Sequence, residues 1–250
     1  MPKLISINIE GHKHLQQRVL PFLEEQQPDI ICLQEVFAVD VPIIESKLQI
    51  SGHFVPMADV IRATIHQQDA FGYIGLYIGS RLPIKTKGKE FYQHDDPEAG
   101  VAPEFFRDGN ENALDRAVAW LTVSAADGDY TVATTHFIWS KRGEATPLQL
   151  ESLDKMLAIL SKLPPHVLCG DFNAPRGRET FQRLASHYRD NIPADVTTTI
   201  DNQLHKATEE IELVVDGLFS QPEYEVNQVE VRDGVSDHKA IVGQIKRLQQ

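Results

Sequence analysis

Short apolar runs typical of strands recur along this 250-residue chain, with a few amphipathic helical segments between them. In the first third, strand-like runs at 3–8 and 29–34 alternate with helical spacing of apolar residues at 14–26 and 41–48. This order predicts a β-α-β-α beginning, and Pro21 is expected to kink the first helix because proline cannot donate the helical hydrogen bond. Further strands are predicted at 71–80, 114–124, 130–137, 166–170, 211–220, 224–232 and 240–246.

The clearest helix begins after Thr146, which forms a capping box with Gln149 and is followed by proline at the first helical position. Apolar residues at helical spacing continue to residue 163, and Pro164 ends the pattern. Many strands with few helices predict an α/β fold of the α+β type, in which mixed sheets pack as a sandwich. The chain has no internal repeat, low-complexity tract or Gly/Ser linker, so we expect a single domain over residues 1–250.

The net charge of −12 disfavours long nucleic acid as the main partner, because a protein that grips a phosphate backbone carries the opposite sign. Much of this charge falls within residues 94–115, which include a predicted long polar loop at 94–113. Cys32 and Cys169 lie inside apolar runs, which indicates buried, reduced thiols. The sequence has neither a signal-peptide pattern nor an apolar stretch of about 18 residues, so we expect a cytoplasmic protein without a transmembrane segment.

Polar side chains that bind metals or protons follow or interrupt the apolar runs. A carboxylate next to such a run must be paired, protonated or bound to a cation, because desolvating it alone is costly. Most of these positions also have a purely structural interpretation: a strand-end charge at Glu35, a turn at 171–175, a core histidine at His136, a turn at 216–217 and an exposed turn at 237–238. The residues concerned are Asn8, Glu35, His136, Asp171, Asn173, Asp216, Asp237 and His238.

As a set, these residue types supply what the hydrolysis of a phosphate ester requires. Amide and carboxylate oxygens suit Mg²⁺, whereas the Cys/His spacing of a structural zinc site does not occur in the sequence. A histidine beside an acidic partner can act as a base near neutral pH. Asparagine and imidazolium groups can donate hydrogen bonds to phosphoryl oxygens.

Six motifs occur in the order found in the endonuclease/exonuclease/phosphatase superfamily, and the chain resembles these metal-dependent phosphohydrolases over nearly its whole length. The resemblance implies a deoxyribonuclease-I-like four-layer sandwich, with two packed mixed β-sheets flanked by helices and a site at one end. The motifs are SINIEGH (6–12), DIICLQEV (29–36), TTHF (134–137), CGDFNAP (169–175), VVDGLF (214–219) and VSDHKAIV (235–242).

By position, the resemblance implies that Asn8 and Glu35 are Mg²⁺ ligands and that Asp237 shares their shell. His238 corresponds to the general base, or to the imidazolium that contacts the scissile phosphate, and Asp216 to the carboxylate that orients it and raises its pKa. The other catalytic positions are Asp171, which aligns or deprotonates the attacking water, Asn173, which donates to the phosphoryl oxygens, and His136, which contacts the phosphate.

Residues 71–81 contain no carboxylate to pair with His136, which is a difference from the secreted deoxyribonucleases. The loop of residues 139–144 has no counterpart that identifies a subfamily. Four residues near the expected mouth of the site are predicted to contact substrate, and the alternative for each is a solvated or packed loop residue. These residues are Trp139, Arg142, Arg176 and His205.

We therefore predict a metal-dependent phosphoric ester hydrolase that uses Mg²⁺, with Mn²⁺ as a substitute. The acidic net charge favours a small soluble or lipid-headgroup substrate and hence a phosphodiesterase or phosphatase. One alternative is an endo- or exonuclease acting on DNA or RNA, which requires a basic groove with aromatic residues for stacking. The other is a catalytically silent binding protein on the same fold, against which the complete set of site residues argues.

Overall fold

The computed structural model describes residues 1–60, 72–94 and 115–248, together with the backbone of β4 (Thr64–Ile65) and β5 (Gln68–Asp69), which pair as a short hairpin. The predicted polar loop at 94–113, apart from residue 94, lies outside these residues. None of the helices within the described ranges is long and apolar enough to cross a membrane.

Two six-stranded mixed sheets pack face to face, as the sequence predicted. Each contains one parallel pair of neighbours, and its other pairs are antiparallel. The first sheet has the spatial order β13 (Tyr224–Arg232), β14 (Ala240–Arg247), β1 (Lys3–Asn8), β2 (Ile30–Phe37), β6 (Gly72–Ser80), β3 (Ser51–Val60). The second has the order β11 (Arg189–Asp190), β12 (Asp216–Ser220), β10 (Val167–Asp171), β9 (Gly128–His136), β8 (Arg116–Ala125), β7 (Ile84–Gln93).

Helices cover the outer face of each sheet and complete the four-layer sandwich. Buried side chains of α1 (Leu20–Gln26) and α2 (Val41–Leu48) pack with Ile5 and Ile31 of the first sheet. Those of α3 (Pro147–Leu160) and α4 (Glu179–Ala185) pack with Leu168 and Phe219 of the second. The layers are therefore helix, sheet, sheet, helix, which is the architecture implied by the resemblance.

Two of the predicted elements differ most from the structure. The helix predicted at 14–26 is a π-helical turn at Leu15–Val19 followed by α1, with Pro21 in the first turn, where its missing N–H costs little. The strand predicted at 211–220 begins only at Asp216, because the carbonyls of residues 213–215 accept hydrogen bonds from loops. The Thr146 half of the predicted capping box is confirmed, since Thr146 Oγ1 accepts the N–H of Gln149 at 3.1 Å. The side chain of Gln149 instead donates to the carbonyl of Ile138 and accepts from Thr180.

No pattern in the sequence predicted β3 and β7, each of which is one of the two edge strands of its sheet, or α4 and β11. Pro56 of β3 lies at an irregularity in its pairing with β6. Lysines alternate along β7 at Lys85, Lys87 and Lys89. Proline at bulges and lysine on edges protect strands from further pairing, and they also hide the apolar alternation by which a strand is recognised.

Gly170 allows β9 and β10 to lie side by side immediately before Asp171. It has φ of 142°, and a Cβ atom there would lie 2.0 Å from the carbonyl oxygen of Thr135. Gly128 has a similar φ of 133° but no atom within 4 Å of the corresponding position. The two glycines thus share a backbone requirement, and only Gly170 also has a steric one.

We expect Gly170→Ala to lower the free energy of unfolding by roughly 1–3 kcal/mol more than Gly128→Ala, since only the first adds overpacking to backbone strain. Denaturant unfolding of both variants measures the difference. Equal losses would contradict the steric role of Gly170.

Candidate active site

The site lies where the inward faces of the strands change from apolar to polar. Along β10, Val167 and Cys169 point into the core between the sheets, and alternation places Asp171 on the same face. The same succession leads from Leu4 to Asn8 in β1 and from Val132 to His136 in β9. In the antiparallel β12 it runs backwards, from Leu218 to Asp216. The sandwich therefore gathers these side chains at one end of its core.

Asn8 links two carboxylates from different sheets. Its Nδ2 donates to Glu35 Oε1 at 3.0 Å and to Asp171 Oδ2 at 3.2 Å, while its Oδ1 accepts the N–H of Glu10 at 3.2 Å. The hydrogen bond from Glu10 fixes which end of the amide faces the carboxylates. Ligation of a cation through Oδ1 would require the amide to rotate.

Glu35 leaves the regular path of β2. The pairing of β2 with β6 shifts between Leu33 and Val36, and Glu35 has a left-handed φ of 58°. Its carbonyl accepts the N–H of Gly11 at 3.2 Å, which fixes the residue beside the end of β1. A bulge re-aims a side chain, and here it turns the carboxylate toward Asn8.

Asp171 lies at the centre of the site and is close to groups from several strands and loops. Its side chain is 2% exposed; Oδ1 accepts the N–H of Asn173 at 2.9 Å, and Oδ2 lies 3.5 Å from His136 Nε2 and 3.8 Å from His238 Nε2. Burial raises the pKa of Asp171 to about 7 against the opposing effect of His238, and the Asp216 carboxylate adds to the rise. A carboxyl with such a pKa can accept a proton near neutral pH.

His238 and Asp216 form a buried pair, with Nδ1 of the imidazole 2.9 Å from Oδ2 of the carboxylate. Thr199 Oγ1 accepts the N–H groups of Val215 and Asp216 and so fixes the start of β12. Burial alone would lower the pKa of His238, but the charges of Asp216 and Asp171 and the hydrogen bond to Asp216 together raise it well above its usual value. The protonated ring then points Nε2 toward Asp171.

Asn173 and Asp237 lie at this end of the sandwich, each with a partner of its own. Asn173 has a left-handed φ of 49°, and its Nδ2 donates to the carbonyl of Phe137 at 3.1 Å. Asp237 is buried; its Oδ1 accepts from Ser236 Oγ at 3.2 Å, and its charge contributes to the raised pKa of His238.

The four predicted substrate contacts occupy different surroundings. Trp139 is 42% exposed three residues beyond the end of β9, and Arg142 is exposed in the same loop with a left-handed φ of 58°. His205 has its pKa lowered mainly by burial and also by the charge of His238; its Nδ1 accepts the N–H of Ala207. Arg176 donates to Asp190 and to the carbonyls of Ile192 and Pro193, so its guanidinium ties together the 176–196 segment.

Two charged residues near the site were not predicted. Glu10 is 1% exposed and its carboxylate is bound by Lys13 and His14, while Arg116 is equally buried at the start of β8. The signal for Arg116 was available in the sequence, because the charged pair Asp115 and Arg116 directly precedes an apolar strand. Its buried position depends on the packing of the two sheets.

The oxygen-rich end of the cluster fits a hard divalent cation. The carboxylates of Asp171 and Asp216 and the imidazole of His238 lie within 4.8 Å of one another, a spacing that would suit a metal. However, a histidine ligand must be neutral, and the raised pKa of His238 favours its protonated form. The amide and carboxylate oxygens of Asn8 and Glu35 therefore suit Mg²⁺ better than the set that includes His238.

Comparisons with known proteins agree with this fold. The family model described as Endonuclease/Exonuclease/phosphatase family matches residues 5–238. Similar solved structures include a mannosyl-6-phosphatase from Bacteroides thetaiotaomicron, with 17% identity, coverage of 98% of this chain and 100% of that one, and a TM-score of 0.70. The human Nocturnin catalytic domain with bound sulfate has 18% identity, coverage of 98% and 94%, and a TM-score of 0.71.

A further similar structure is ANGEL2, described as a 2′,3′-cyclic phosphatase in complex with adenosine-2′,3′-vanadate. It has 13% identity, coverage of 99% of this chain and 96% of that one, and a TM-score of 0.65. Comparison of the sequence with curated proteins found no significant match.

We expect Asp216→Asn to lower the pKa of His238 further than Asp171→Asn does, because Asp216 supplies both a charge and a hydrogen bond, whereas Asp171 supplies a charge alone. NMR titration of the imidazole in metal-free protein measures both changes, with His53 on β3 as a remote reference. A larger effect of Asp171→Asn would show that the hydrogen bond to Asp216 is not the main cause.

Proposed function

Because this chain belongs to the endonuclease/exonuclease/phosphatase family, we propose that it is a Mg²⁺-dependent hydrolase of a phosphate ester, with Mn²⁺ as a substitute. The observation that carries the proposal is the convergence around Asp171 of polar groups from distant parts of the chain. Asn8 and His238 contact it from the first-sheet side, and His136 from its own sheet. Such a set combines cation ligands, a proton acceptor and phosphate-binding donors.

Asn8 and Glu35 would hold the cation, with Asp171 and Asp237 at the same end of the sandwich. A bound Mg²⁺ supplies a Lewis acid that polarises a phosphoryl oxygen and lowers the pKa of water. The hydrogen bonds from Asn8 to Glu35 and Asp171 keep these carboxylates together within a buried site. The carboxylate of Glu35 is thus in place for the cation, whereas Asn8 must rotate its amide to offer Oδ1.

The catalytic side chains have different roles in the reaction, which follow from their protonation states. Asp171, whose pKa is raised by burial, aligns a water molecule and accepts its proton. His238, held by Asp216 and protonated, stabilises negative charge on the phosphoryl group through Nε2. His136 and Asn173 contact the phosphoryl oxygens, since the Nδ2 of Asn173 has a second N–H besides the one donated to the carbonyl of Phe137.

The preferred substrate is a small soluble or headgroup phosphate ester. The net charge of −12 opposes a long polyanion. Exposed Trp139 and Arg142 follow the end of β9 and would contact the part of the substrate beyond the phosphate, with His205 as a further contact. Arg176 stays a prediction, because its guanidinium would first have to leave Asp190 and the carbonyls of Ile192 and Pro193. The same fold occurs in proteins described as a mannosyl-6-phosphatase and a 2′,3′-cyclic phosphatase, which is compatible with small phosphate esters.

A substrate panel tests the proposal. Sugar phosphates, a 2′,3′-cyclic nucleotide, a phospholipid headgroup ester, single-stranded DNA and RNA are each incubated with the protein and Mg²⁺ or Mn²⁺. We expect turnover of a small ester that chelation abolishes, and loss of at least about 100-fold in kcat in Asp171→Asn. Salt-sensitive cleavage of nucleic acid alone would favour the nuclease, and no turnover of any ester would favour a binding protein.

We expect Glu35→Gln to raise the Mg²⁺ concentration for half-maximal rate by at least about tenfold, since the variant loses a charged oxygen ligand. Glu90→Gln is the matched control, because Glu90 lies on β7 in an exposed ion pair with Lys162. Mg²⁺ titration of the initial rate measures the effect. A requirement that is unchanged in Glu35→Gln would remove Glu35 from the cation site.

A further inference from the structure

Arg116 is the largest of the fully buried side chains in the described part of the chain. It is 1% exposed, and a guanidinium group is too costly to desolvate unless its charge and its donors are satisfied. Burial lowers the pKa of Arg116, whereas Tyr92, Asp171 and Glu35 raise it. The buried cation is thus within electrostatic reach of two carboxylates of the candidate site.

The guanidinium is bonded to the backbone of His136. The ladder between β8 and β9 ends at the pair Val118 and Thr135, so the carbonyl of His136 lies beyond the last paired residue. Directly before β8, the N–H of Asp115 donates to the carbonyl of Met57 in the other sheet. Arg116 Nη1 donates to the carbonyl of His136 at 3.1 Å and so continues the ladder with a side chain.

Tyr92 is the second donor near this carbonyl, and it is the weaker one. Its hydroxyl lies 3.4 Å from the carbonyl oxygen of His136 and 2.8 Å from Thr135 Oγ1. Thr135 Oγ1 donates its own proton to the carbonyl of Ala117, which leaves the Tyr92 hydroxyl to donate to Thr135. Of these two donors, Arg116 is therefore the one that bonds the carbonyl of His136 more closely.

The opposite side of the same peptide is fixed by β10. The N–H of Phe137 donates to the carbonyl of Asp171 at 2.7 Å, so the peptide that joins His136 and Phe137 is bonded on both edges. The imidazole of His136 then lies with Nε2 3.5 Å from Asp171 Oδ2. Loss of the hydrogen bond on one edge of this peptide would let the end of β9 shift relative to Asp171.

We propose that Arg116 is a positioning residue of the active site. It acts through His136, because its hydrogen bond to the carbonyl of His136 fixes the end of β9. Arg116 itself is too buried to touch a substrate. The proposal rests on the proposed function insofar as His136 contacts the phosphoryl group. The contact between Arg116 and His136 is independent of that function and can be tested separately.

A double-mutant cycle tests whether Arg116 acts through His136. We expect Arg116→Met to lower kcat by about 10- to 100-fold with little change in KM, because a small misplacement of a catalytic group has effects of this size. Arg116→Lys, which keeps a charge and a donor, should recover part of the rate. In the His136→Ala background, Arg116→Met should cost less than about threefold, since coupled residues are not additive. An equal loss in both backgrounds would overturn the proposal.

Arg247→Met is the matched control, because Arg247 Nη1 donates to the carbonyl of Asp129 at the end of β14 remote from the site. Its rate should equal that of the unchanged protein. Thermal unfolding establishes that the variants are folded. If Arg116→Met does not fold, Arg116→Lys carries the same cycle, with a smaller loss that must again vanish in His136→Ala.

The imidazole signals of His136 test the contact without any hydrolysis assay. In protein without substrate or cation, Arg116→Met or Arg116→Lys should move the NMR signals of His136 and leave those of His53 unchanged. A shifted His136 signal in a protein that hydrolyses no ester would support the positioning contact while the proposed function fails. An unshifted signal would overturn the proposal whatever the activity.

Discussion

Desolvation of the Asp171 carboxylate is the constraint on which the arrangement of the site depends. The group lies at the end of a core built from apolar side chains of both sheets, where an isolated charge would be very costly. The structure supplies it with the N–H of Asn173, the amide of Asn8 and the imidazoles of His136 and His238. The same burial raises its pKa, so the desolvation that costs folding stability also makes the carboxylate a proton acceptor near neutral pH.

The charge balance around Asp171 extends over several residues. Asp216 raises the pKa of His238 and so favours an imidazolium that faces Asp171. Arg116 adds a buried positive charge within electrostatic reach of Asp171 and Glu35. The carboxylates of Glu35, Asp171 and Asp216 are thus partly neutralised by protein groups. A divalent cation would add to this balance at the oxygen ligands of Asn8 and Glu35.

Backbone strain occurs at several positions around this end of the sandwich. Of the seven left-handed non-glycine positions among the described residues, four are Glu10 after β1, Glu35 at the bulge of β2, Arg142 in the loop after β9 and Asn173 after β10. Each costs on the order of 1 kcal/mol. A strand that continued regularly would alternate its side chains, and the left-handed residues instead turn the chain at the site. Strain is retained there because hydrogen bonds such as those of Gly11 to Glu35 and Asn173 to Asp171 hold the turns.

Local pattern was sufficient to predict the alternating buried strands, the cap at Thr146 and the chemical types at the strand ends, because side-chain alternation and capping act over a few residues. It did not predict the edge strands β3 and β7, or the contacts of Asn8 and Arg116. Asn8 meets Asp171 across 163 residues of sequence, and Arg116 meets a carbonyl that its own strand no longer pairs with. Such contacts exist only once the two sheets are packed, since packing decides which distant groups share a desolvated space. The sequence by itself determined which reactive groups the chain carries, and the tertiary structure decided their partners, their protonation and their orientation.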